Sequence, residues 1–75
     1  MTRNEELRLA KRLGRWAIYY GELSKKLKGE NNTAWRIYAI RGLKIFKISM
    51  DLEDGKANED SLEKYRGEAV SEPPK

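Results

Sequence analysis

The large apolar residues between Leu9 and Leu27 recur with a rhythm suited to a helix. They stand at Leu9, Leu13, Trp16, Tyr20, Leu23 and Leu27, in steps alternating between four and three. That alternation keeps one seam turned toward a packing partner. A second stripe runs beside it on the same rhythm: Ala10, Gly14, Ala17, Gly21 and Ser24, all small. A ridge of bulk next to a groove of small residues lets another helix come close, because a missing side chain lets backbones approach. A glycine inside a helix costs about 1 kcal/mol against alanine, so two in register point to a packing reason.

Signals at both ends frame this segment. Thr2-Arg3-Asn4-Glu5 has the form of a capping box, in which Thr2 accepts from the Glu5 amide and Glu5 reaches back to Thr2. Glu5 and Glu6 fall in the first turn and Lys25, Lys26 and Lys28 in the last, the signs that the helix dipole favours at each end. Gly29 is placed to close the helix in the left-handed conformation. The spacing therefore predicts helix over 3–28.

The turn Glu30-Asn31-Asn32-Thr33 offers Asn and Thr side chains to cap a following helix. The stretch 34–52 reads two ways. As a helix it puts Thr33, Arg36, Lys44, Lys47 and Asp51 on one polar face interrupted by Ile40, with the remaining surface almost wholly apolar. As strands, Trp35-Ile37-Ala39 and Phe46-Ile48-Met50-Leu52 alternate about Arg41-Gly42, and the β-branched and aromatic content suits a hairpin. Arg-Gly is a poor tight-turn dipeptide, and the strand pattern slips phase between Ile45 and Phe46, so helix is the reading. Beyond it, Asn58 begins a short acidic helix and Gly67 ends it, with Leu62 and Tyr65 its large apolar residues. A helix of about nine residues does not hold alone in water, so it docks or frays. The chain from Glu68 onward reads as a disordered tail.

The expected fold is all-α: an antiparallel helical hairpin plus a short third helix. The alternative is α+β, a long helix with a β-hairpin at 34–52. Residues 1–53 form a basic hairpin, 54–67 an acidic short helix and 68–75 the tail. The second helix is apolar over more of its circumference than one neighbour covers. That surplus predicts a homodimer, a four-helix bundle with two-fold symmetry, and assigns Leu13, Trp16, Tyr20, Trp35, Tyr38 and Phe46 to the oligomer interface.

Charge is unevenly spread. Residues 1–48 carry twelve Lys or Arg against four acids, a net of +8, and residues 49–75 carry four against eight, a net of −4, giving the +4 of the whole. Basic surfaces attract phosphate backbones through long-range, salt-dependent forces. Arg8, Lys11, Arg12 and Arg15, with Tyr19 on the same flank, and Arg36, Lys44 and Lys47 on the second helix are the candidate nucleic-acid contacts. They predict backbone contact more than base readout. The acidic segment would fold over the basic patch and compete with nucleic acid there. The alternative function is a protein-interaction module (inhibitor, adaptor or assembly subunit) acting through the apolar aromatic surface. A lysine-rich amphipathic helix also fits membrane-surface binding in outline, but Glu5, Glu6 and Glu22 interrupt the basic face, so a membrane partner is not expected.

With no Cys and no His, the usual zinc, haem and iron–sulfur ligands, thiol nucleophiles and imidazole bases are missing. No carboxylate or lysine spacing assembles an acid/base pair, a metal cage or a phosphate loop. The expectation is therefore a non-enzyme without cofactor or metal. The charged N-terminus and the lack of a run of about 18 apolar residues suggest a cytoplasmic protein.

Overall fold

The computed structural model describes residues 1–74. Four helices follow in order: α1 (Arg3–Gly29), α2 (Trp35–Glu53), α3 (Glu59–Lys64) and α4 (Arg66–Ala69). No strand occurs among the described residues, so the β-hairpin alternative at 34–52 is not adopted. α1 and α2 form an antiparallel hairpin, and the described residues together extend over 43 × 23 × 18 Å.

Local chemistry sets the ends of these helices. Thr2 Oγ1 accepts from the Glu5 amide at 3.2 Å, and Glu5 Oε1 accepts from the Thr2 amide at 3.1 Å. The bond from the Thr2 amide, followed by the Thr2 hydroxyl, holds the Glu5 carboxyl below its usual range. At the far end Gly29 stays helical, and Asn31 takes the left-handed conformation instead, with φ 58°. The Asn32 amide then bonds Leu27 O at 2.9 Å and the Asn31 amide bonds Lys28 O at 3.1 Å, which satisfies carbonyls that the helix end leaves open. Asn is the non-glycine residue that tolerates this conformation best, so the stop falls two residues beyond the expected glycine. Asn32 Oδ1 accepts from the Ala34 amide at 2.9 Å, while no side chain caps α2 at Ala34 itself. α2 closes the same way at Gly55, φ 73°, with Lys56 N bonding Asp51 O at 2.7 Å. Arg3 reaches across to donate to Leu52 O at 2.7 Å and to Glu53 O. A cation at the C-terminus of a helix favours the dipole and offsets the acids in α2's last turn.

The core is one layer between the two long helices. Leu13, Ile45 and Leu52 are fully buried, joined by Ala10, Tyr20, Ile48 and Tyr65. The closest helix approach lies at Gly42: a Cβ there would sit 3.2 Å from Tyr20 Cβ and 3.4 Å from Ala17 O. Of the two α1 glycines, Gly14 would make ordinary contact with Ser49 Oγ, and Gly21 faces open space. Two serines stitch the helices together. Ser24 Oγ donates to Trp35 O at 3.0 Å and Ser49 Oγ to Ala10 O at 2.6 Å.

The acidic segment departs from its sequence reading. Tyr65, φ −113° and ψ 34°, interrupts it between α3 and α4, and Gly67 lies inside α4 rather than ending a helix. Of the expected tail, residues 68–72 dock on the hairpin, and Lys75 lies outside the described residues. Glu68 is buried, Trp16 Nε1 donates to Ser71 O at 2.7 Å, and Glu72 is bound by Arg12 and Arg15. Charge pairing with α1 over a sequence separation of 57 is invisible to local periodicity.

Candidate functional site

The hairpin has two broad faces of different character. On one, the acidic segment covers the aromatic residues. Tyr20 and Tyr38 stack with ring centroids 5.8 Å apart, and Trp16 meets Tyr19 edge-on at 5.6 Å. Arg41 lies 4.9 Å from the Tyr65 ring centroid and 6.0 Å from that of Tyr20. Its Nε donates to Glu68 Oε1 at 2.6 Å, and Tyr20 Oη donates to the same oxygen at 2.8 Å. Burial pushes the Glu68 carboxyl up, but its hydrogen bonds from Tyr20 and Arg41 together outweigh that and hold it below the usual range. Burial, followed by the bond to the Glu68 carboxylate, pushes the Tyr20 hydroxyl up.

The other face is open. An apolar groove of about 750 Å³ runs between α1 and α2, lined by Gly14, Ala17, Gly21, Ala39 and Gly42, with Ile18 on one wall and Leu43 and Phe46 on the other. The walls are exposed: Ile18 by 64%, Leu43 by 70% and Phe46 by 51%. Met50, also exposed, continues the line. Ala39, Leu43, Phe46 and Met50 step by four, three and four, so α2 carries a second seam beside the one that packs on α1. Lys11, Arg15 and Glu53 fringe the groove.

The expected interface residues divide between these environments. Leu13 and Tyr20 are buried inside the chain's own core, Tyr38 packs on Tyr20, and Trp16 lies beneath the acidic segment. Trp35 is half-buried with Lys28 Nζ 4.7 Å over its ring. Of the six, Phe46 alone lies on the open groove. The expected nucleic-acid contacts divide too. Leu13 and Ile45 mark the facing sides of the two helices. At about 100° per residue, Arg8 falls on the far side of α1, with Lys11 and Arg15 beside it at the rim of the groove, and Arg36 and Lys47 fall on the far side of α2. The two rows therefore look in opposite directions, with Lys44 exposed on a flank of α2. Tyr19 is half-buried among Trp16 and Tyr20. Arg15 donates to both Glu72 oxygens, at 2.8 and 2.6 Å. Arg12 Nε lies 3.3 Å from Glu72 Oε1, and its Nη1 donates to Ala69 O at 2.8 Å. The bond from Arg15 holds the Glu72 carboxyl below its usual range.

Sequence reasoning missed Arg41, Glu68 and Glu72 as individuals. The partners of Glu68 and Glu72 lie on α1 and α2, far away in sequence, so no local spacing marks the pairing. Among the described residues no helix is long and apolar enough to cross a membrane, and no group of three or more His, Cys, Asp or Glu is placed to hold a metal ion. Comparisons with protein-family models, curated proteins and solved structures find no match for this chain.

Proposed function

We propose that this protein is a small non-catalytic helical interaction module whose working face is the α1/α2 groove, and that a second copy of the chain fills that groove to make a two-fold four-helix bundle. The observation that carries the reading is the exposed seam of Leu43, Phe46 and Met50 beside a trough floored by Gly14, Gly21 and Gly42. Ridge and trough lie on one face, so the surface is complementary to itself, as an isologous interface requires. Apolar side chains exposed in a contiguous line on a small soluble helical chain mark an interaction site. The acidic segment covers the opposite face, where its polar partners lie, and leaves this one open. That arrangement favours the interaction module over a protein built chiefly around nucleic acid, because the two basic rows point apart.

Light scattering coupled to size exclusion tests it. The wild-type chain is expected at about twice its 8.7 kDa, and Leu43→Asp at the monomer mass with unchanged helical circular dichroism, since Leu43 is exposed. A wild-type chain that stays at 8.7 kDa from micromolar to submillimolar concentration refutes self-association. A Leu43→Asp variant with the wild-type mass refutes the assignment of this face.

A further inference from the structure

We infer that the outer row of α1, Arg8, Lys11, Arg12 and Arg15, is a binding strip for the phosphates of a nucleic-acid strand, and that the Glu72 carboxylate closes it in cis by standing where a phosphate would sit. Lys11 and Arg15 also fringe the groove, but the inference rests on the contacts of Glu72 and not on what fills the groove. Three donors converge on Glu72: Arg15 Nε and Nη2 at 2.8 and 2.6 Å, and Arg12 Nε at 3.3 Å. A guanidinium fork presents the same geometry to a carboxylate and to a phosphate oxygen pair. The pair is solvent-facing, with about half of the Arg15 and Glu72 side chains exposed, the setting in which ion pairs are weakest and most readily exchanged.

The segment is held in two unequal places. Glu68 is buried and doubly bonded, so it fixes α4 to the hairpin. Glu72 lies four residues further along, past the end of α4, and this stretch is held by the exposed Arg12 and Arg15 pairs, the Arg12 bond to Ala69 O and the Trp16 bond to Ser71 O. A ligand can therefore displace Glu72 without undocking α4. Arg8 and Lys11 are exposed and form no ion pair among the described residues. Glu5, three residues before Arg8, is turned to the Thr2 amide. Arg8 to Arg15 spans about 10 Å along the helix, so the row offers a phosphate more cationic partners than Glu72 uses. Contacts of this kind are sequence-independent.

Fluorescence anisotropy of a labelled mixed-sequence duplex DNA at low salt, with the full chain throughout, tests the closure. Glu72→Gln is expected to tighten binding about tenfold and to steepen the salt dependence by about two, as Arg12 and Arg15 are freed for phosphate. Glu30→Gln adds the same charge at the far end of the hairpin, where Glu30 bonds no side chain, and is expected to change affinity less than about twofold. Adding Arg12→Gln and Arg15→Gln to Glu72→Gln removes the gain. Equal affinities for Glu72→Gln and Glu30→Gln overturn the inference, as does a gain that survives loss of both arginines. Equal tightening toward polyglutamate also overturns it, showing a clamp for acidic protein segments rather than nucleic acid.

Discussion

Replacing Glu68 by Ala removes the one acceptor shared by Tyr20 Oη and Arg41 Nε, at 2.8 and 2.6 Å. Hydrogen bonds to a charged group contribute about 1.5–3 kcal/mol each. The two partners lose unequally, because the Arg41 side chain is 39% exposed and recovers much of its hydration, whereas Tyr20 is only 9% exposed and leaves a hydroxyl stranded. The sum is then about 3 kcal/mol for Glu68→Ala. Glu68→Gln keeps an acceptor in place and loses the charge, which sets its cost at about 1 kcal/mol. For a chain of this size each kcal/mol shifts the melting temperature by about 4–8 °C. α4 contacts chiefly α1 and α3, so the loss is capped at whatever docking of the segment contributes. Two readouts separate the local event from the global one. Helical circular dichroism reports melting, and limited trypsin digestion at Lys64 and Arg66 reports release of α4. The expected result is a melting temperature lowered by about 10 °C or more in Glu68→Ala, with faster cleavage at those two residues, and a smaller change of the same kind in Glu68→Gln. A Glu68→Ala chain that melts within about 2 °C of wild type and resists trypsin equally would refute the assignment of Glu68 as the segment's anchor.

The same cluster sets the pH dependence. Glu68 is held below the ordinary carboxyl value of 4.5, so its contribution is complete above that pH and is lost as pH falls through the folded value. Tyr20 is held above the ordinary 10.0, so its contribution is complete below pH 10.0 and lost as pH rises through the folded value. Urea midpoints measured across both windows should fall at each end, and Glu68→Gln should flatten the acidic limb; an unchanged limb contradicts the pairing. The glycines divide by what lies beside them. Gly42→Ala drives a methyl against Ala17 O and Tyr20 Cβ, and is expected to destabilise by about 1–2 kcal/mol even after the helix-propensity gain. Gly21→Ala meets nothing and should raise chemical stability by about 0.5–1 kcal/mol while weakening self-association through the groove. Opposite signs in urea denaturation support this account, and equal effects refute it.

The two long helices were legible in the chain because their causes are local. The four-three rhythm from Leu9 to Leu27 and the Thr2–Glu5 box act within a few residues, and the helical capping follows from them. The stretch 34–52 stayed ambiguous because its apolar residues satisfy either period. Packing resolved it, since Ile45, Ile48, Ser49 and Leu52 bury together on one helical face against α1. Other features are tertiary. At the close approach Gly42 lies over the backbone of Ala17 and Gly21 while the Cβ position of Gly21 faces open space, a division that depends on how the two helices cross and that the stripe of small residues does not state. The docking of Glu68 and Glu72 joins residues across much of the chain, and its strength comes from exclusion of water around Tyr20 and from a convergence of guanidinium groups that exists only once α1 has formed. The open seam of Leu43, Phe46 and Met50 follows from the same cause. Periodicity marks α2 as apolar on too many sides, but charge pairing decides which side the acidic segment covers and which is left open.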